Sequence, residues 1–257
     1  MGALPVATTN NLNFGNPERP EIMAQLVEAI EGMGEACTFF ETPITGGNVS
    51  LYNETLGEAI FPTPVVGIVG LLKTGAPMGI AFRNAGRDLV LLGGLGTCDD
   101  LHFGGTQYAK QVLDALWGMP PALDMDYEKR VQAAIREIVN KGHAESAHDL
   151  SDGGLAVALA ESSSTIGAQV DLASDLRPEF LLFHEGPSRI LVSTANIEKV
   201  QEIAAKFGVE APRIGVTIGE RLIIRNQASP LVDCGLSGMR DIRENALNRL
   251  LQTHQHA

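Results

Sequence analysis

Apolar and polar positions follow two periodicities along this chain, and together they predict a mixture of helices and strands. Between Glu18 and Phe40 apolar residues recur at steps of three to four, which predicts an amphipathic helix. Helices are also expected over 107–117, 127–140, 155–162, 196–207 and 240–251. Short apolar runs predict strands over 4–9, 44–45, 65–72, 88–92, 146–148, 181–184, 189–193, 214–218 and 222–224. The run at 65–72 is apolar on both faces, which predicts an interior strand.

Two polar strings interrupt this pattern, and both are predicted to be loops. Asn10–Pro17 reads Asn-Asn-Leu-Asn-Phe-Gly-Asn-Pro, and Thr45–Glu54 reads Thr-Gly-Gly-Asn-Val-Ser-Leu-Tyr-Asn-Glu. Such residues let a backbone approach a phosphate closely while amide oxygens face a cation. We interpret the strings as a site for a magnesium nucleotide and a phosphorylated substrate. The alternative is a pair of asparagine-rich turns that cap helices.

Four residues of these strings are candidate ligands. Asn10 carries an amide that both accepts and donates, which suits a nucleotide edge or a cation, although a simple turn would also explain it. Gly47 would present main-chain N–H groups to a phosphate, and Asn48 an uncharged oxygen to Mg²⁺. Ser50 would share a face with Asn48 if this stretch is extended, and its hydroxyl could then bind substrate.

A third string, His148–Gly154, lies at a predicted strand-to-helix turn. Asp149 could bind a cation, Asp152 could cap the helix, and Gly153-Gly154 would leave room for phosphate at the positive helix end. Capping alone explains Asp152 well and Asp149 less well. Glu185 also follows a predicted strand, a position where ligand sites of α/β proteins collect.

Composition narrows the classes of function. The chain has 257 residues, a hydrophobic content of 44% and a net charge of −12, without a cluster of basic residues. It can therefore bury a core, and binding to nucleic acid or to an anionic membrane surface is not expected. Three cysteines without a C-x-x-C pair favour a reducing cytoplasm over a disulfide framework or a zinc site. No apolar run approaches the roughly 18 residues of a membrane span.

Domain organisation follows from glycine and proline accumulation between Lys73 and Arg87. We place a boundary near residue 84, which divides the chain into domains 1–84 and 85–257. The strand at 4–9 begins almost at Met1, and a sheet edge this early needs cover. The chain is therefore expected to be a fragment whose natural sheet partners lie N-terminal to it, with self-association as another way to cover the edge.

Four strings occur in an order that resembles a known family: Thr9–Glu21, Thr45–Glu54, Pro62–Pro64 and Ser146–Glu161. They resemble the C-terminal portion of the phosphoribosylformylglycinamidine synthases of the small synthetase-subunit type, over about 4–251. The resemblance implies a mixed α/β and α+β fold like that of aminoimidazole ribonucleotide synthetase. This chain would hold part of the second α/β domain and the whole C-terminal α+β domain.

The resemblance implies a reaction and a set of site residues. The family converts formylglycinamide ribonucleotide, ATP and ammonia to formylglycinamidine ribonucleotide, with ammonia from a glutaminase subunit and a small accessory subunit in the complex. Asn10 and Gly47 match ATP contacts, Asn48 a magnesium ligand and Ser50 a substrate contact. The family's catalytic histidine lies in an N-terminal synthetase half that this chain lacks. No catalytic residue is therefore assigned, and the isolated chain is expected to be inactive.

Other interpretations stay open. By the family's internal duplication, Asp149 and Glu185 match a metal and a substrate position of the other half, which implies an auxiliary nucleotide site here. The chain would then be a non-catalytic nucleotide-binding or assembly module. A related selenophosphate or thiamine-phosphate enzyme is a third interpretation, but it gives no reason for the asparagine-rich string. The segment 93–105 also departs from the family pattern.

Overall fold

The computed structural model describes residues 1–73 and 77–253, and its contacts divide the chain into two compact units. The smaller unit comprises Ala3–Pro77, and the larger comprises Met1–Gly2 with Met78–Ala257. The domain boundary near residue 84 stays a prediction.

Strands and helices take their bounds from the described residues. The strands are β1 (Leu4–Asn13), β2 (Ile44–Ser50), β3 (Glu54–Thr55), β4 (Glu58–Ala59), β5 (Thr63–Leu71), β6 (Asp88–Leu92), β7 (Ser146–Asp149), β8 (Gly167–Leu172), β9 (Ile190–Thr194), β10 (Arg213–Ile218), β11 (Arg221–Asn226) and β12 (Ser229–Gly235). The helices are α1 (Pro20–Phe39), α2 (Asp100–Phe103), α3 (Gln107–Val112), α4 (Met125–Asn140), α5 (Gly154–Ser162), α6 (Pro178–Phe183), α7 (Ile197–Lys206) and α8 (Leu236–Thr253).

The smaller unit is a β-α-β crossover extended by one antiparallel strand. Its sheet has the order β2-β1-β5, with β1 parallel to β2 and antiparallel to β5. Helix α1 connects the two parallel strands and begins at Pro20, a residue well suited to a first helical turn. Leu12 of β1 and Phe14, which directly follows that strand, are buried in one cluster with Ile22 of α1. This cluster anchors the polar end of β1.

Three predictions about this unit were wrong. The segments 10–13 and 46–50 are strands rather than loops, because β1 and β2 supply each other's backbone hydrogen bonds. Strand β5 lies at an edge of the sheet and not in its interior. Its apolar side chains are largely exposed, with Val65 at 52% and Val69 at 53% of their full surface.

The larger unit is a seven-stranded sheet with helices on both faces. Its order is β12-β11-β8-β10-β6-β9-β7, with every pair antiparallel except β8 with β11. Strand β6 is buried on both sides: Leu89 and Leu91 join one apolar cluster, while Val90 and Leu92 join the other. The first cluster includes residues of α5, α6 and α8, and the second includes residues of α4 and α7.

Two predicted elements of this unit differ from the structure. Residues 181–183 of the segment predicted as strand 181–184 belong to helix α6, which begins at Pro178 and buries Phe180, Leu181 and Leu182. A short apolar run cannot by itself distinguish a buried strand from a buried helical turn. The helix predicted over 107–117 ends at Val112. Asp114 then takes a left-handed backbone conformation, with φ of 50°, and stops the helix.

Candidate functional site

The two polar strings form neighbouring parallel strands. The register places Asn10 opposite Gly47, Asn11 opposite Asn48, and Asn13 opposite Ser50. Pairing continues beyond the sheet, where the N–H of Phe14 donates to the Ser50 carbonyl at 3.1 Å. Strings separated by the whole of α1 are therefore brought side by side.

The four predicted ligand residues divide between the two faces of this sheet. Side chains alternate along a strand, and paired residues share a face. Asn10 and Gly47 lie on the same face as Leu12, which belongs to the buried cluster of α1. Asn48 and Ser50 lie on the opposite face, because β2 is extended through Ser50. The two residues predicted to contact ATP thus lie on one face, and the two predicted to bind metal and substrate lie on the other.

Gly47 and Asn10 fit together so closely that Gly47 has no room for a side chain. A Cβ atom at Gly47 would lie 1.9 Å from Asn10 Oδ1 and 2.7 Å from the Asn10 carbonyl oxygen. The Asn10 amide therefore crosses over the backbone of Gly47. Gly46, its neighbour, has nothing within 4 Å of such an atom. Only the second glycine of the pair is required by packing.

Asn48 and Ser50 are held by two further asparagines. Asn48 Nδ2 donates to Asn11 Oδ1 at 3.1 Å, and Ser50 Oγ donates to Asn53 Oδ1 at 3.2 Å. Asn53 Nδ2 donates to the carbonyls of Phe14 at 3.1 Å and Ser50 at 3.0 Å. Asn53 thus fixes the end of β2 against β1. Sequence reasoning missed this role, although Asn53 lies within the second string.

Asn48 fits Mg²⁺ as one ligand and not as a complete site. Its Oδ1 accepts no hydrogen bond from the part of the chain that the structure describes, so this oxygen is free to face a cation. Magnesium binds about six oxygen ligands, often waters and substrate phosphates. No group of three or more His, Cys, Asp or Glu side chains placed to hold a metal ion occurs within residues 1–73 and 77–253. Phosphate oxygens and groups outside this cluster would supply the remaining ligands.

Glu185 occupies the place at α5 that the sequence suggested for a phosphate. Its Oε1 accepts the N–H of Gln107 at 2.8 Å and the N–H of Gly153 at 2.7 Å, so the starts of α3 and α5 converge on one carboxylate. A Cβ at Gly154 would lie 2.5 Å from the His184 carbonyl oxygen. Gly153 and Gly154 thus bring the helix close to the chain, and the prediction that they leave room for phosphate was wrong.

Asp149 lies at the end of β7 beside a histidine that two carboxylates flank. His148 Nδ1 is 3.5 Å from Asp149 Oδ1, and His148 Nε2 is 2.9 Å from Glu161 Oε2. The neighbouring Asp149 carboxylate, followed by the hydrogen bond with Glu161, raises the pKa of His148 above its usual value despite its partial burial. The same contact lowers the pKa of Asp149. Asp149 is therefore ionised and its side chain is 74% exposed, which leaves it available to a cation.

Exchange of Glu185 for glutamine is expected to destabilise the chain by about 1 kcal/mol. The uncharged amide no longer provides the negative charge that stabilises the N-termini of α3 and α5. Denaturant unfolding at neutral pH measures this difference. Glu220→Gln is the matched control, since Glu220 is exposed in the turn between β10 and β11 and is not part of a helix. Equal unfolding free energies for the two variants would show that the carboxylate charge contributes nothing.

Family models match both units of the chain. A model described as AIR synthase related protein, N-terminal domain, matches residues 1–72, and one described as AIR synthase related protein, C-terminal domain, matches residues 84–225. The chain belongs to the AIR synthase related protein family. The predicted fold class, a mixed α/β and α+β fold of the aminoimidazole ribonucleotide synthetase type, is confirmed.

Relatives of this AIR synthase related chain carry a more specific name. It is 48% identical over 244 residues to the phosphoribosylformylglycinamidine synthase subunit PurL of Moorella thermoacetica, over 93% of this chain and 33% of that protein. The predicted resemblance is thereby confirmed. The chain spans about a third of the length of this relative.

Solved structures show the same fold. Thermotoga maritima PurL complexed with FGAR matches 93% of this chain and 40% of its own, with a TM-score of 0.73 and 22% identity. T. maritima PurL complexed with ATP matches 93% of this chain and 38% of its own, with a TM-score of 0.70 and 20% identity. Among the helices that the described residues of this family member form, none combines the length and apolar character needed to cross a bilayer.

Proposed function

We propose that this chain is the C-terminal part of an ATP-dependent carbon–nitrogen ligase that converts formylglycinamide ribonucleotide and glutamine-derived ammonia to formylglycinamidine ribonucleotide. The observation that carries the proposal is the register of β1 and β2, which pairs Asn10 with Gly47 and places Asn48 and Ser50 together on one face. The 48% identity to a PurL subunit supports the same reaction.

Each residue has a role in binding and orientation. Asn10 and Gly47 contact ATP, with the amide of Asn10 held across Gly47. Asn48 and Ser50 lie on the opposite face of the sheet, where Asn48 would present its free Oδ1 to Mg²⁺ and the ion would supply charge neutralisation. Ser50, fixed by Asn53, binds the ribonucleotide substrate. ATP phosphorylates the formamide oxygen, ammonia attacks the adjacent carbon, and phosphate leaves. Catalysis of this kind depends on position and charge stabilisation more than on covalent chemistry by the protein.

The proposal requires other parts of a larger assembly. The chain spans 33% of its PurL relative, so an N-terminal synthetase half would supply the catalytic histidine and most metal carboxylates. A glutaminase subunit would supply ammonia, with a small accessory subunit beside it. We place this assembly in the cytoplasm, where free cysteines stay reduced.

The non-catalytic assembly module has less support. It needs ADP phosphates at Gly153 and Gly154, yet the Gly153 N–H already donates to Glu185. Asp149 retains an exposed carboxylate, so a cation-dependent auxiliary site near it stays a prediction.

Calorimetric titration with Mg-ATP tests the proposed function. We expect no binding to the chain alone, binding once a separately produced N-terminal part of a PurL relative is added, and loss of that binding in Asn48→Ala. Asn245→Ala on α8 is the matched control and should bind as the parent does. Binding by the chain alone that survives Asn48→Ala would instead establish the auxiliary module.

A further inference from the structure

Arg189 is a buried cation that has no carboxylate partner among the described residues. Its side chain is 4% exposed, and it donates to the carbonyl oxygens of Gly186 at 3.1 Å and His184 at 2.7 Å. Its Nη1 also lies 2.8 Å from His184 Nε2. No carboxylate of the described residues lies within ion-pair distance of its guanidinium. A buried charge with only neutral acceptors is costly, so its presence needs an explanation.

The histidine beside Arg189 does not change this charge balance. Burial, followed by the nearby Arg189 charge, lowers the pKa of His184 to about 4, so the imidazole is neutral at pH 7. Burial lowers the pKa of Arg189 to about 10, so the guanidinium stays protonated at pH 7. The pair carries a net positive charge under physiological conditions.

This charge lies at the wall of a cavity of about 440 Å³ within the larger unit. Gly96, Thr97 and Cys98 line the same cavity as His184 and residues 186–189. The N–H groups of these three residues donate to no acceptor within the part of the chain that the structure describes. Unpaired N–H groups beside a buried cation suit an oxyanion.

Two carboxylates also line the cavity, and both are already engaged. Asp99 accepts the His102 N–H at 3.0 Å and lies 2.7 Å from His102 Nδ1, while Asp124 accepts the Tyr127 N–H at 2.9 Å. Each therefore caps a helix, and neither reaches Arg189. The charge of Arg189 at the cavity wall is therefore not neutralised by these carboxylates. The cavity volume is many times the roughly 30 Å³ that one water molecule occupies in liquid water.

We propose that this cavity binds a small phosphoryl oxyanion, with the Arg189 guanidinium as its counter-charge and the N–H groups of residues 96–98 as further donors. Free phosphate and a phosphomonoester share this chemistry, and the cavity admits either.

Protection of Cys98 from alkylation tests this site in the unmodified chain. Cys98 lines the same cavity as Arg189, whereas Cys37 belongs to helix α1 of the other unit. Inorganic phosphate or glycerol 3-phosphate at about 20 mM should slow iodoacetamide modification of Cys98 several-fold. Cys37 should react unchanged, and potassium chloride of matched ionic strength should protect neither thiol. Protection by one phosphate source and not the other identifies the ligand type.

Two variants make the test independent of folding defects. Cys98→Asp adds a negative charge beside Arg189 and should weaken phosphate binding about tenfold in calorimetry. Cys98→Ser keeps the size and neutrality of the side chain and should bind as the parent does. Absence of both protection and heat of binding, or equal affinity of the two variants, would overturn the proposal.

Discussion

Gly47→Ala is expected to displace the Asn10 amide and abolish Mg-ATP binding in the reconstituted assembly, while Gly46→Ala leaves binding intact. A methyl group at Gly47 would meet Asn10 Oδ1 at 1.9 Å and the Asn10 carbonyl at 2.7 Å. The side chain can rotate away, but the carbonyl belongs to the central strand of the sheet and cannot. Overpacking of this kind costs about 1–3 kcal/mol.

Two measurements separate the effect on the fold from the effect on the site. Denaturant unfolding should show Gly47→Ala destabilised by about 2 kcal/mol relative to Gly46→Ala. Titration with Mg-ATP after addition of the N-terminal part should show binding only for Gly46→Ala and the parent. If the two alanine variants bind alike, the Asn10 amide has no part in nucleotide recognition.

The sequence predicts those elements whose pattern is local. Helix α1 was expected over Glu18–Phe40 and spans Pro20–Phe39, because its apolar stripe has a clear helical period. Strand β6 was expected over Asp88–Leu92 and has those bounds, since its four apolar residues 89–92 are buried on both faces. Such segments carry their structural signal within themselves.

The polar ends of β1 and β2 carry no such signal. Asparagine and glycine are poor strand formers, and these residues become extended because each strand pairs with the other across the length of α1. Strand β12 was missed, although it pairs with β11 along its length. Pairing between distant segments is a tertiary property that local propensity does not encode.

The candidate site shows the same division between features that the sequence predicts and features that depend on contacts between distant segments. Residue types and their order suggested Asn10, Gly47, Asn48 and Ser50, and the condition that Ser50 shares a face with Asn48 is met by the structure. The roles of Asn53 and Glu185 depend on hydrogen bonds between segments far apart in the chain. The contact between His184 and Arg189 depends on burial, which neither residue type suggests. These features arise only when distant segments of the chain come together in the fold.

Acidification from pH 7 to pH 5 is expected to destabilise the larger unit by about 2 kcal/mol through His184 alone. His184 is 2% exposed, and burial next to Arg189 lowers its pKa to about 4, against 6.5 in the unfolded chain. At pH values between about 4 and 6.5, His184 binds a proton in the unfolded state and does not bind one in the folded state. The folded state is therefore fully favoured above pH 6.5 and loses stability as pH falls towards 4.

His184→Gln isolates this contribution. Glutamine can still accept from Arg189 but does not titrate, so the variant should be less stable than the parent at pH 7 and yet lose about 2 kcal/mol less on acidification to pH 5. Unfolding by urea at both pH values gives the four free energies needed. If His184→Gln and the parent lose the same stability on acidification, the imidazole accepts a proton in the folded state, and two positive charges would then share the buried site with Arg189.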